Sequence, residues 1–254
     1  MRKTRPFIAS LELEEEWTPD ELRGAADRAA VLGYTGAQVD CSWSRSQSAG
    51  PEDSDFTGAG RAVEEIRKGG LVPAVSLDHS TPPQWVDTDA YGARDPREML
   101  VVDPGTGACL LAHNAKQVRD WVAGWLAAAA GRFGDGVEYY QEVATPFRQS
   151  TLRHPSKRMF DHSRWAAEAY RSWLRAKYAD VRILNEAWDT SFKGWEEVPA
   201  GEGLRKSHQA DFQHFRYHTL ASWTDHMSKA VRESSGGGSY AFRSGDPVSA
   251  TDLQ

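Results

Sequence analysis

At 254 residues, with 40% hydrophobic and 26% charged side chains, the chain is a globular protein large enough for one barrel or two small domains. A net charge of −6 argues against the clustered basic face of a nucleic-acid binder, and two cysteines, Cys41 and Cys109, at no CxxC spacing imply neither a zinc cluster nor a disulfide framework. No apolar run approaches the ~18 residues that cross a bilayer. The basic start Met1-Arg-Lys-Thr-Arg-Pro6 is not followed by a signal peptide's apolar stretch, so a cytoplasmic location is expected.

Phe7-Ile-Ala-Ser-Leu-Glu-Leu13 is short and apolar and reads as a first strand; the acidic run Glu14-Glu15-Glu16 after it reads as a solvated loop. Thr18-Pro19-Asp20-Glu21 is a helix start, with Thr18 as N-cap, Pro19 at the first helical position and Glu21 closing a capping box. Leu22, Ala25, Ala26, Ala29 and Leu32 give that helix its apolar stripe, and Gly33 ends it. Ala37 to Trp43 predicts a second strand. Ala59, Ala62, Val63 and Ile66 mark a second helix closed by Gly69-Gly70. Leu71 to Leu77 predicts a third strand, in which Pro73 argues against a central position. Residues 79–114, rich in Pro, Gly and Asp, form a long loop of the kind that is functional or mobile. The clearest helix follows, with Val118, Trp121, Val122, Trp125, Leu126, Ala129 and Phe133 on one face.

Gly136-Val-Glu-Tyr-Tyr-Gln-Glu-Val-Ala-Thr-Pro-Phe147 comes next and predicts a fourth strand, Val137 to Val143, stopped at Pro146. Glu142 falls at its C-terminal end, where parallel α/β enzymes build their sites. Residues 163–178 and 207–233 show helical periodicity, separated by a connection from Asn185 to Gly203. Gly236-Gly-Gly238 leads into a fifth strand, Tyr240 to Arg243. This alternation means a parallel sheet with right-handed crossovers. The expected fold is α/β, a (β/α)8 TIM-type barrel in one domain over residues 1–254, with a helical insert at about 150–205. Five strands are spent by residue 245, so the barrel is expected to be partial.

Several stretches fall in one recognisable order. They are Cys41-Ser-Trp43-Ser44 with Pro51 and Asp55-Phe56; Gly70-Leu71 through Ser80-Thr-Pro-Pro-Gln-Trp85; His113-Asn-Ala-Lys116; and Arg132-Phe-Gly134. Trp173-Leu-Arg-Ala-Lys-Tyr178 and Leu184-Asn-Glu-Ala-Trp188-Asp-Thr-Ser-Phe192 complete the series. In that order they resemble the strand-two run, the P-P-x-W-L loop, the C-P-N-S-P segment, the R-Y-G helix end and the W-L-K-x-K-Y-G insert of the family-42 β-galactosidases. The likeness covers roughly residues 6 to 245. It implies a retaining glycosidase barrel, with the acid/base on strand four, the nucleophile on strand seven, a β-galactoside or oligosaccharide substrate, no cofactor and a possible homo-oligomer. Neither a nucleic-acid nor a membrane partner is expected.

The departures bear on the site. The family's strand four ends Asn-Glu-Tyr-Gly, and here it reads Gln141-Glu142-Val143-Ala144. By this likeness Glu142 keeps the acid/base position, and Gln141 replaces the asparagine that holds the sugar 2-hydroxyl. The arginine expected after strand three has only Arg94 and Arg97 nearby. The family's cysteine zinc site is absent, so no metal is expected, and the nucleophile's strand lies outside the sequence.

Glycosidic cleavage needs an acid of raised pKa and, for retention, a second carboxylate about 5 to 5.5 Å away. Glu142 is the candidate acid; its plainer reading is a strand-end glutamate paired with an arginine such as Arg148. Asp40, Trp43, Asp78 and His79 sit at the ends of strands two and three and are candidate sugar ligands, Trp43 being equally readable as a core ring. Asn114, by its family position, joins the same pocket. Asn185-Glu186 imitates the catalytic pair but lies in the helical insert. His214 and His218, with Asp211 and Asp225 near the same helix face, lack the HExxH pattern of a zinc site and read as a solvated surface. The alternatives to hydrolysis are a barrel that only binds a carbohydrate or small polar ligand, and one turned to dehydration or cyclisation through Glu142.

Overall fold

The computed structural model of the chain describes residues 8–11, 17–103, 105–144, 161–199 and 206–242. Five strands, β1 (Ile8–Leu11), β2 (Gly36–Ser42), β3 (Val72–Asp78), β4 (Tyr140–Val143) and β5 (Tyr240–Phe242), form one sheet in sequence order. Every neighbouring pair is parallel. Helix α1 (Pro19–Val31) crosses from β1 to β2; α2 (Trp43–Ser46) and α3 (Thr57–Lys68) cross from β2 to β3. Next, α4 (Thr88–Tyr91) and α5 (Lys116–Phe133) lead to β4, and α6 (Arg164–Tyr178), α7 (Val181–Trp188) and α8 (Lys206–Ser234) lead to β5. Parallel strands taken in order through helical crossovers are the topology of the (β/α)8 TIM-type barrel, here a partial one. Among the described residues no helix is long and apolar enough to cross a membrane.

Local chemistry sets the element ends. Thr18 accepts from the Glu21 amide at 3.3 Å while Glu21 Oε2 accepts from the Thr18 amide at 2.7 Å, closing the capping box of α1. Leu32, expected in the α1 stripe, is instead the C-cap and 73% exposed, because it falls at the edge of the stripe after the last turn. Pro73 sits in a strand paired on both sides. Its carbonyl accepts from the Glu138 amide, so its nitrogen also faces β4, at a level where the β3–β4 ladder, which starts at Val75, has not begun. No ladder hydrogen bond is lost there.

The fourth strand is shorter than expected: the chain is already extended at Val137, directly after a turn at Gly134–Gly136, but its ladder with β3 begins only at Tyr140. Trp43 opens α2 instead of ending β2. The Asn185–Gly203 connection begins inside a helix, since α7 runs to Trp188. The long segment 79–114 is organised by α4 and by antiparallel bridges Gly92↔Leu111, Arg94↔Leu100 and Val102↔Cys109. Phe7, Glu12, Leu13, the Glu14–Glu16 run, Pro146, Phe147, Arg148, Gly203 and Arg243 lie outside the described residues.

Side chains alternate across a strand, so register assigns each to a face. Ala37, Val39 and Cys41 of β2, Val75 and Leu77 of β3 and Tyr140 of β4 pack with Ile66, Val122, Trp125, Leu126 and Trp223 in the core between sheet and helices. The opposite, lumen face carries Gln38, Asp40, Ser42, Ser76, Asp78 and Gln141, and Tyr139 joins it by donating to Gln38 Oε1 at 3.0 Å. A second core, with Tyr170, Leu174, Leu184, Trp188, Phe212 and Phe215, joins α6 and α7 to the first half of α8.

Candidate functional site

Glu142 is in register with Leu77 and, through it, with Cys41. Both neighbours belong to the helix-side core, so the Glu142 side chain points away from the lumen. It is 0% exposed. Oε1 accepts from His79 Nε2 and from Trp223 Nε1, each at 2.7 Å, and Oε2 accepts from the Tyr240 hydroxyl. The donors come from the end of β3, from α8 and from β5, so one carboxylate ties three elements to β4. Burial, the Glu142 charge and their hydrogen bond push the Tyr240 phenol far above its usual range, which keeps it a donor. Two donors fill both lone pairs of Oε1. This arrangement departs from the expected one, in which Glu142 faces a leaving oxygen.

His79 also donates its amide to the Val143 carbonyl at 3.0 Å, carrying the sheet pattern one residue past β3. The Trp223 ring stacks on His113 with centroids 4.0 Å apart and 19° between planes, and the Arg119 guanidinium lies over Trp223 at 5.7 Å. Arg119 Nε donates to the His113 carbonyl at 2.7 Å. Both ring nitrogens of His113 are buried without a hydrogen-bond partner among the described residues. Burial, with the charges of His79 and Arg119, holds its pKa well below the usual 6.5. The unfolded chain therefore takes up a proton below about pH 6.5 that the folded chain refuses. Stability present above that pH is lost as pH falls, by up to about 1.4 kcal/mol per pH unit. Urea unfolding at pH 7.0 and 5.5 should show this loss, and His113→Phe should flatten it; an equal pH dependence in both proteins would rule His113 out as its source.

The other predicted residues divide between the two faces. Asp40, Asp78 and Gln141 lie half-buried on the lumen face, and Asp78 Oδ1 accepts the Ser80 amide at 2.8 Å. Trp43 is a core ring, 0% exposed, donating to Gln47 Oε1 at 2.8 Å and packed edge-on to Trp85. Its edge-on approach to His79 at 6.4 Å completes the wall behind Glu142. Asn114 accepts from Thr219 Oγ1 at 3.4 Å and so ties its loop to α8. Asn185 closes the turn after α7 through the Phe192 amide and carbonyl, both at 2.9 Å, and Glu186 is exposed. His214, His218 and Asp225 are exposed, as a solvated face requires, but Asp211 is 3% exposed and bonded inside the insert. Among the described residues no three His, Cys, Asp or Glu side chains are grouped to hold a metal ion.

Nothing in the local sequence pattern marks Trp223, Tyr240 or His113 as site residues. A signal for Tyr240 existed in strand parity, since Tyr140 and Glu142 share a face and Tyr140 pairs with Tyr240.

A family model described as β-galactosidase, glycosyl hydrolase 42, matches residues 39–238. No curated protein sequence matches the chain. Among solved structures, the catalytic domain of β-amylase from Paenibacillus polymyxa superposes with a TM-score of 0.77 at 14% identity, covering 92% of this chain and 64% of that one. A β-galactosidase from the psychrophilic Marinomonas ef1 gives 0.76 at 19%, covering 93% of this chain and 36% of that one. One from the Antarctic haloarchaeon Halorubrum lacusprofundi gives 0.75 at 19%, with 92% and 35% covered. At these identities the likeness is one of fold. The chain spans about a third of the length of these β-galactosidases.

Proposed function

The chain belongs to glycoside hydrolase family 42, and from that premise we propose that it forms the sugar-facing wall of a glycosidase-type barrel, with a β-galactoside or related β-glycoside held against the lumen face. In this reading Glu142 organises the wall from behind and is not the general acid/base. The burial of Glu142 on the helix side, with three donors on its carboxylate, is the observation that carries it. A general acid must come within about 2.6 to 3.2 Å of the oxygen it protonates, and this carboxyl is sealed from any ligand in the lumen. Gln141, Asp78 and Asp40 supply the amide and carboxylate groups that sugar hydroxyls bond.

The test is calorimetric titration with isopropyl β-D-thiogalactoside. Gln141→Ala and Asp78→Ala should each weaken binding about tenfold, while Glu142→Gln, assayed below its melting transition, should stay within about threefold of the wild type. Unchanged affinity in both lumen variants would remove the proposal.

The position of Glu142 at the C-terminal end of β4 favours a second reading, retaining hydrolysis with Glu142 as acid/base. It requires the carboxylate to leave His79 and Trp223 and to find a second carboxylate about 5 to 5.5 Å away. Turnover of an aryl β-galactoside that vanishes in Glu142→Gln, with binding and melting temperature retained, would favour it over the first.

A further inference from the structure

Arg119 is a half-buried cation with no carboxylate partner among the described residues. Its Nε donates to the His113 carbonyl at 2.7 Å, and Nη1 donates to the Ser222 carbonyl and hydroxyl at 3.3 and 3.2 Å. Nη2 has no partner among those residues. Asp120, next in α5, is taken by Lys116 at 2.5 Å, and Asp225, one turn beyond Ser222 on α8, is exposed and pairs with no cation. Burial lowers the Arg119 pKa, and no neighbouring carboxylate opposes that fall. A charge drawn out of water is ordinarily paired.

The guanidinium reaches back to the residues that precede α5, an 18-residue helix whose N-cap, Ala115, has no capping side chain and whose first turn holds no acid. The amides of Lys116, Gln117 and Val118 have no partner among the described residues. His113, two residues before the helix N-cap side chain at Ala115, adds an independent sign. It is 2% exposed, both its ring nitrogens lack a partner among the described residues, and the Arg119 charge reaches its ring. A neutral imidazole keeps one N–H, which here has no acceptor. Donors therefore gather at this end of α5 without a described acceptor. Since α5 leads from β3 back to the start of β4, that end lies at the C-terminal side of the sheet, where parallel α/β folds take ligands. Guanidinium groups and free helix amides are the groups that bind phosphate. We propose that Arg119, His113 and the first turn of α5 form a binding site for a small oxyanion of the phosphate type. It stands whether or not the lumen face holds a sugar.

Calorimetric titration of the whole chain with inorganic phosphate, at an ionic strength held constant with sodium chloride, tests it. The wild type should bind saturably, and sodium chloride in place of phosphate should give no such response. Arg119→Gln should weaken phosphate binding about tenfold or more, and His113→Phe, which keeps a ring against Trp223 but no N–H, about threefold. Both variants are measured below their melting transitions. Gln141→Ala should leave phosphate affinity unchanged, and Arg119→Gln should leave thiogalactoside affinity unchanged, which separates this site from the lumen face. Phenyl phosphate distinguishes the sources of the anion. Binding at least as tight as that of inorganic phosphate would assign the site to the phosphoryl group of a larger ligand, and binding of inorganic phosphate alone would assign it to the free ion. Absence of saturable phosphate binding in the wild type, an equal response to sodium chloride, or affinity unaltered in both Arg119→Gln and His113→Phe would overturn the site.

Discussion

Glu142→Ala is expected to lower the free energy of unfolding by about 4 kcal/mol, a loss near the upper end for a single substitution. The truncation leaves the His79 N–H, the Trp223 N–H and the Tyr240 hydroxyl facing a space with no acceptor. Each orphaned donor costs about 1 to 3 kcal/mol, and the sum is tempered by whatever water enters the hole. For a chain of this size the melting temperature should fall by about 8 to 16 °C. Glu142→Gln separates charge from shape. Its amide oxygen still accepts from His79 and Trp223, and its NH2 group meets a Tyr240 hydroxyl that can turn to accept, so the loss should be about 1 to 2 kcal/mol. Tyr240→Phe removes one donor from the intact carboxylate and should cost about 1 kcal/mol alone. In the Glu142→Ala background it should cost almost nothing, the coupling expected of one shared hydrogen bond. A loss below about 1 kcal/mol for Glu142→Ala in urea unfolding would mean that the carboxylate does not hold the sheet to α8.

The same hub shows where sequence reading stops. The capping box at Thr18 and Glu21 and the end of α1 at Gly33 are local, and short-range chemistry specifies them completely. Strand order is also legible, because alternation of strand and helix permits few parallel topologies. The face of Glu142 is not. Period-two alternation says that Tyr140 and Glu142 share one side and Tyr139 and Gln141 the other, but both sides carry one ring and one polar group, so the pattern does not say which is inside. Burial is decided by Trp223, 81 residues away, and Tyr240, 98 residues away. Pro73 misled in the opposite way. Proline is excluded from a central strand only where its nitrogen meets a ladder partner, and the side of β3 facing β4 has none at that level. Asp211 misled because the helical period of α8 assigns angles but not neighbours. The first half of α8 packs on the insert and the second half on the sheet, so no single solvent face runs its length.

Asp211→Ala should cost about 3 kcal/mol, with the damage confined to the insert. Asp211 accepts from Lys177 Nζ, from the Tyr178 hydroxyl at 2.6 Å and from Trp188 Nε1 at 2.8 Å. These partners are unequal. The Lys177 side chain is 38% exposed, so solvent screens its share of the loss to a small part. Trp188 is 1% exposed, and the bond its indole N–H gives Asp211 is shielded from solvent, so most of the loss falls there. Salt should therefore alter the difference between wild type and variant little, since a buried hydrogen bond contributes more to it than an exposed ion pair does. The second core joins α6 and α7 to the first half of α8, while α6 reaches the first core through Trp165, so the insert should open locally before the sheet does. Hydrogen exchange should quicken about a hundredfold or more in the amides of α6 and α7, a change equivalent to the predicted loss, while β2 and β3 keep their wild-type protection. Exchange that quickened equally in the insert and the sheet would mean that the two cores unfold as one unit, and that Asp211 supports the barrel as directly as Glu142 does.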